Sequence, residues 1–127
     1  MNRKQLIQFI KEEYGKEEEY LWAKYPNYAV FRHSVNRKWF AVVMDVPKNK
    51  LGLAGDEIID LLVVKCSNLL IGSLIQKRGF YPAYHMNKTN WISIALDGSV
   101  DDEEIKMLIN MSYELTGERK KPSVSNR

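Results

Sequence analysis

One stretch of alternating residues, between positions 80 and 96, sets the strongest limit on the fold of this chain. Its sequence is FYPAYHMNKTNWISIAL, and its second half places Ile92, Ile94 and Leu96 on the same side of an extended strand. Side chains that alternate with period two lie on opposite faces of a β-strand. The polar run Asn87, Lys88, Thr89 and Asn90, with an asparagine at each end, is typical of a turn. The stretch therefore predicts a β-hairpin with an aromatic and polar tip.

A second β-hairpin is predicted from two β-rich runs, at 28–35 and 38–46, which flank the turn residues Asn36 and Arg37. Apolar side chains occupy both faces of the later run, so we expect that strand to be covered on both sides. A further strand is predicted at 58–65. Basic and aromatic residues cluster at both turns, which we name the first tip (residues 32–39) and the second tip (residues 84–91).

Helices are predicted where apolar residues recur three and four positions apart. The first begins with a capping-box pattern, Asn2 with Gln5, and ends at Gly15. The second begins at Ser67 or Asn68 and runs to position 78. With the strands, these helices predict an α+β domain of order α-β-β-β-α-β-β-α, an antiparallel sheet with helices packed on one face.

The last helix is predicted from Ser99 and Asp102, which form an S-x-x-D capping box, to a stop at Gly117. Residues 118–127 show no apolar periodicity and hold four Lys or Arg against one Glu. We interpret residues 1–117 as a single domain and residues 118–127 as a disordered basic tail.

The distribution of charge is more informative than the net charge of +3. The tail accounts for that excess, so the domain is neutral, with +5 over residues 32–96 and −5 over residues 97–117. A nucleic-acid-binding domain is often strongly basic, and this composition indicates no tight, charge-driven partner. The single cysteine and the lack of a signal peptide or membrane span predict a cytoplasmic protein without a membrane partner, and we expect a monomer.

Catalytic chemistry is not indicated by any motif. Cys66, Ser93, His33 and His85 are present, but no nucleophile-elbow or Cys/His signature surrounds them. A structural zinc site needs about four Cys or His ligands, and this chain has one Cys and two His, widely spaced. No phosphate-binding loop motif occurs in the sequence. We interpret Cys66 as a packed apolar residue and His85 as a hydrogen-bonded residue at a strand end, the alternative for His85 being a general base of an enzyme. The sequence thus predicts no catalytic residue, metal or cofactor.

Binding chemistry is better supported, because aromatic rings beside Lys, Arg and Asn can stack on bases and contact phosphates. The alternative is that these aromatic residues are half-buried and pair across strands. The candidate nucleic-acid-binding residues are Arg32, His33, Arg37, Lys38 and Trp39 on the first tip, and Tyr84, His85, Asn87, Lys88 and Trp91 on the second.

Several short motifs occur together over residues 1–117. They are VFRH at 30–33, NRKWFA at 36–41, LVVKC at 62–66, PAYHMNK at 82–88, LDGS at 96–99 and SYELT at 112–116. Trp91, between PAYHMNK and LDGS, belongs to the same set. Taken jointly they resemble the MmcQ/YjbR family, small bacterial proteins with a CyaY-like domain. The family usually has a proline soon after the Lys-Cys pair, whereas this chain has Ser67 and Asn68, which we expect to alter a helix start.

The resemblance implies a fold of helix, three strands, helix, two strands and helix, and it implies no catalytic residues. A DNA-binding role through a "double wing" of two protruding β-hairpins has been proposed for the family, and it would fall on the two tips here. We therefore predict a non-enzymatic binding domain, a weak DNA binder whose cations contact phosphates. The competing hypothesis is a chaperone-like module that docks a peptide against the sheet or its edge.

Overall fold

An antiparallel sheet forms the centre of the structure, a computed structural model that describes residues 1–117. The elements are α1 (Arg3–Tyr14), β1 (Ala29–Arg32), β2 (Trp39–Pro47), a 3-10 helix (Lys48–Leu51), β3 (Ile58–Lys65), α2 (Asn68–Leu74), β4 (Phe80–Pro82), β5 (Trp91–Ala95) and α3 (Asp102–Thr116). The five strands lie in the order β1-β2-β3-β5-β4, and every neighbouring pair is antiparallel. The predicted α+β class is confirmed.

The two faces of the sheet are buried in different ways. One face packs against the helices through a core that includes Leu6 and Ile10 of α1 and Ile105, Leu108 and Ile109 of α3. The opposite face, which we name the helix-free face, is covered by loops instead. Its buried side chains alternate along the strands with those of the helical face, and include Val30, Val42, Met44, Leu61 and Val63.

The predicted cap residues agree with the structure for α1 but not for the start of α3. The Asn2–Gln5 capping box and the stop at Gly15 are confirmed. The predicted Ser99 cap of α3 is wrong: Asp101 caps that helix by accepting from the Glu103 amide at 3.2 Å, while Ser99 donates to Asp97 at 2.5 Å.

Helix α2 is shorter than predicted. Ser67 is its N-cap, accepting from the Leu70 amide at 3.3 Å, but the helix ends at Leu74 and not at position 78. The Lys77 amide then donates to the Leu74 carbonyl in a tight turn, and the Lys77 ammonium donates to Glu104 of α3 at 2.6 Å. The end of α2 at Leu74 is therefore followed by a turn whose Lys77 side chain contacts α3.

The hairpin predicted at 80–96 has a much longer connection than a four-residue turn. Strand β4 has only three residues and ends at Pro82. A turn is present at 87–90, where the Asn90 amide donates to the Asn87 carbonyl at 3.3 Å, but it belongs to an eight-residue loop over 83–90. Strand β1 is also shorter than the run at 28–35, ending at Arg32.

Two further observations concern membrane-spanning helices and the predicted tail. No helix within residues 1–117 is long and apolar enough to cross a lipid bilayer. The basic tail predicted for residues 118–127 lies outside the described residues.

Candidate binding surface

The first tip is fastened to the end of α3. His33 Nε2 lies 2.9 Å from the Thr116 hydroxyl, and the Asn36 amide donates to the Thr116 carbonyl at 2.9 Å. The Thr116 hydroxyl donates its one proton to the Ser112 carbonyl at 2.7 Å, so His33 Nε2 must carry the hydrogen that it shares with Thr116. His33 is 8% exposed and packs on Tyr113, with ring centroids 4.4 Å apart. This candidate binding residue therefore holds the tip in place.

The neutral state of His33 predicts a pH dependence of stability. Burial lowers the pKa of His33, and the nearby Lys16 charge lowers it further. Because the unfolded chain, with a histidine pKa near ~6.5, then binds the proton more readily, the free energy of unfolding should fall as the pH drops below about 6.5. Urea unfolding between pH 5 and pH 7.5, followed by circular dichroism, measures this fall.

His33→Gln is the matched test, since a glutamine amide still donates to Thr116 but does not titrate. We expect the fall in stability between pH 7 and pH 5 to shrink in this variant. His85→Gln, which removes the exposed second histidine, should retain the fall. An unchanged pH dependence in His33→Gln would show that another group is responsible.

The cations of the first tip are in two different states. Arg32 donates two hydrogen bonds to the Glu19 carboxylate, at 2.7 and 2.9 Å, and this contact holds the pKa of Glu19 below its usual value. Arg37 and Lys38 are exposed and make no ion pair within residues 1–117. The structure thus engages Arg32 internally and leaves Arg37 and Lys38 accessible to a ligand.

The second tip does not project from the sheet but folds across the helix-free face. Ala83 is fully buried there, and the Tyr84 amide donates to Ser93 of β5 at 3.0 Å. The His85 ring lies 6.2 Å from Tyr25 and 6.5 Å from Tyr28, which immediately precedes the far edge strand β1.

An aromatic cleft of about 350 Å³ lies between the second tip and the segment before β1. The ring of Trp22 is nearly perpendicular to Trp39 (centroids 5.6 Å apart, 89°) and to Tyr28 (5.9 Å, 78°). Tyr25 stacks on Tyr28 with centroids 4.7 Å apart and planes at 13°. Burial raises the pKa of Tyr28 to about 12, so its hydroxyl stays protonated. The residues lining the aromatic cleft are Trp22, Tyr25, Tyr28, Trp39, Met44, His85 and Met86.

A basic cleft of about 400 Å³ adjoins the aromatic cleft and shares His85 with it. Lys50 of the 3-10 helix and Lys88 of the second tip supply its charge. Neither cleft is lined by an Asp or Glu of residues 1–117. The residues lining the basic cleft are Lys50, Leu51, Pro82, Ala83, Tyr84, His85 and Lys88.

The cations around the two clefts make no close ion pair within the described chain. Elsewhere several cations are paired with carboxylates, as in Lys11–Glu17, Lys77–Glu104 and Lys106–Glu103, whereas Lys4, Lys16, Lys65 and Arg78 make no ion pair within residues 1–117. No such pair within residues 1–117 involves Lys50 and Lys88, which line the basic cleft, or Lys24 and Lys38, which are next to cleft residues in the chain. The same holds for Arg37 of the first tip.

Two of the candidate residues adopt a backbone conformation that favours glycine. Arg37 has φ +64° and His85 has φ +58°. The left-handed region costs an ordinary residue about 1–2 kcal/mol, so glycine at either position would relieve strain. Glycine substitutions here therefore remove a guanidinium or an imidazole without disturbing the fold.

The remaining candidates are partly structural. Asn87 accepts from the Thr89 amide at 2.8 Å and shapes the turn. Trp91 is half-buried at the start of β5, outside both clefts. The structure therefore brings Trp39, Tyr84, His85 and Lys88 together on the helix-free face. Sequence reasoning missed the other cleft residues, which are Trp22, Tyr25, Tyr28, Met44, Lys50, Leu51, Pro82, Ala83 and Met86. The dense run LWAKYPNY at 21–28 was the available signal for three of them.

Other reactive groups do not converge within the described residues. No group of three or more His, Cys, Asp or Glu side chains in residues 1–117 is arranged to hold a metal ion. Cys66 is 2% exposed, and burial raises the pKa of its thiol, which disfavours the reactive thiolate.

Solved structures share this arrangement of helices and strands. A crystal structure of a Pseudomonas syringae protein matches with a TM-score of 0.90 at 46% identity, over 92% of this chain and 100% of that one. A crystal structure of a Deinococcus radiodurans protein with the DUF419 domain matches at 20% identity with a TM-score of 0.70, over 97% of this chain and 83% of that one. These likenesses define a small α+β protein with an antiparallel sheet.

The family follows from sequence comparison. The YjbR family model matches residues 12–115. The uncharacterized protein YyaQ of Bacillus subtilis (strain 168) is 41% identical over 116 residues, which are 91% of this chain and 98% of YyaQ. The chain belongs to the YjbR family, and the predicted resemblance is confirmed.

Proposed function

We propose that this YjbR-family protein is a non-enzymatic cytoplasmic domain that binds DNA weakly through the helix-free face and the first tip. The observation that carries the proposal is the aromatic cleft bordered by cations without carboxylate partners in residues 1–117. Cations bind the phosphate backbone, and aromatic rings stack on bases. The single, buried Cys66 suits a reducing compartment.

The neutral net charge of the domain does not oppose this function, because the charges are separated in space. The acidic residues that give −5 over residues 97–117 belong to α3 and the segment before it, and α3 packs on the helical side of β2 and β3. The cations at the clefts lie on the opposite face. Since few phosphates would be contacted, we expect a dissociation constant of about 10⁻⁵ M at physiological salt, within the range of non-specific DNA binding.

The test is fluorescence anisotropy with labelled single-stranded and duplex DNA across a salt series. In the double variant Arg37→Gly/Lys88→Ala we expect about tenfold weaker binding at low salt and a slope of log K against log[salt] lower by about 1–2. Arg37→Gly also relieves the left-handed backbone, so unfolding would not explain the loss.

Lys4→Ala/Arg78→Ala is the matched control, because it removes two exposed positive charges that line neither cleft. It should bind as the wild type does. Absence of binding by the wild type at low salt, or an equal loss in both double variants, would overturn the proposal.

Peptide docking is the second candidate function, and the apolar lining of the aromatic cleft favours it. The two edge strands of the sheet are less suited to pairing with a peptide strand. Glu19 exchanges two backbone hydrogen bonds with Val30 on the outer side of β1, and the other edge strand, β4, is three residues long and ends at Pro82. Isothermal titration with an unfolded polypeptide separates the two functions, since peptide binding to an apolar cleft would persist at high salt whereas DNA binding would not.

A further inference from the structure

We propose, on the basis of the proposed function, that the aromatic cleft takes one unpaired nucleobase of a single-stranded nucleic acid and the basic cleft takes the adjoining phosphate. The protein would then bind single strands in preference to duplexes. This assigns a ligand to each cleft and gives His85, which lines both, a position between base and phosphate.

The geometry of the aromatic cleft fits the face of a planar ring. Trp22 stands edge-on to both Trp39 and Tyr28, so these rings form walls rather than a closed stack. Met86 of the second tip supplies polarisable apolar surface beside them, and the buried Met44 of the sheet also lines the cleft. A base in a duplex has both faces covered by its neighbours and shows only its edges in the grooves. A ring can enter this cleft only after leaving the stack.

The charge around the clefts fits a phosphate attached to that ring. Lys50 and Lys88 line the basic cleft, and the Lys24 ammonium lies 5.8 Å from the centre of the Tyr25 ring at the aromatic cleft. The nearby carboxylate of Asp45 accepts from the Asn27 amide at 3.1 Å and lines neither cleft. A neutral apolar peptide would use the aromatic cleft alone, whereas a nucleotide unit uses both.

Three labelled probes of equal length test the inference: a dT decamer, the same decamer with abasic sites throughout, and a ten-base-pair duplex. We expect the dT decamer to bind at least about tenfold more tightly than the abasic strand, the size of one base–aromatic stack. Tryptophan fluorescence gives a second readout, since two of the three tryptophans line the cleft. It should be quenched by the dT decamer and not by the abasic strand, and Trp91→Phe should keep the quenching.

Tyr25→Ala is the cleft variant, because Tyr25 is 37% exposed and its removal leaves the core intact. We expect about tenfold weaker binding of the dT decamer and unchanged binding of the abasic strand. Tyr20→Ala, which removes a 53% exposed tyrosine outside the cleft, is the control and should bind normally. His85→Gly is a second cleft variant in which the left-handed backbone is relieved, and it should lose affinity for the dT decamer in the same way.

The outcomes separate this inference from the proposed function. Equal affinity for the dT decamer, the abasic strand and the duplex would overturn the base-in-cleft inference and leave DNA binding standing. Salt-resistant binding of an unfolded polypeptide that Tyr25→Ala abolishes, with no binding of any strand, would overturn both in favour of a peptide site. No binding of any probe would also overturn both.

Discussion

Gly79→Ala should lower the free energy of unfolding by about 2–5 kcal/mol, the sum of a left-handed backbone penalty and overpacking. Gly79 has φ +91° and lies in the turn between α2 and β4. A Cβ atom there would lie 2.5 Å from the Ser99 hydroxyl and 2.6 Å from a methyl of Val100, which is buried. The Gly79 carbonyl also accepts from the Ala95 amide at 2.8 Å, so the turn cannot move freely away.

Gly72→Ala is the matched control for Gly79→Ala. Gly72 lies inside α2, and no atom within 4 Å would meet an added Cβ. Because alanine favours the helix over glycine, this variant should gain about 0.5–1 kcal/mol. Chemical denaturation of both variants measures the difference, and a cost below about 1 kcal/mol for Gly79→Ala would contradict the packing described for this turn.

Ser112→Ala should cost about 2–4 kcal/mol, because it leaves two backbone groups without a partner. The fully buried Ser112 hydroxyl accepts from the Lys65 amide at 2.9 Å and donates to the Phe40 carbonyl at 2.6 Å. Phe40 and Lys65 would form the next pair after Ala41 and Val64 in the β2–β3 ladder. A side chain of α3 is thus inserted between two central strands, beside the first tip.

Ser73→Ala, at an exposed position of α2, controls for the loss of a serine hydroxyl and should change stability by less than about 0.5 kcal/mol. Hydrogen exchange gives the local readout. The Lys65 amide should exchange faster in Ser112→Ala than in the wild type, relative to amides at the opposite end of β3. If Ser112→Ala had the stability and the Lys65 exchange rate of the wild type, the two hydrogen bonds of the Ser112 hydroxyl would make no contribution to stability.

Local patterns in the sequence predicted the class of fold well. Alternation and cap residues act over a few positions, which is why the strand at 58–65 and the first helix agree with the structure. Errors arose at two helix ends. Asp101 caps α3 instead of Ser99, which donates to Asp97, and α2 ends at Leu74 instead of position 78.

The candidate site was predicted in part. Four of the residues that line the clefts, Trp39, Tyr84, His85 and Lys88, could be named because both turns carry basic and aromatic side chains, but the burial of the other candidates could not be predicted. His33 is fastened to Thr116, 83 positions away, and Arg32 is engaged by Glu19 from outside its hairpin. The aromatic cleft joins the second tip to residues 22–28, and its existence depends on the tip folding over the sheet. No local pattern specifies that direction.

An NMR titration with the dT decamer at low salt tests the central claim most directly, because it locates the ligand on the surface. The account predicts that shifts in the ¹⁵N–¹H spectrum concentrate at the amides of residues 36–39 and 84–90 and at the indole N–H of Trp22, with α1 and α3 unaffected. Shifts concentrated on the helices, or none at a millimolar excess of the decamer, would contradict it.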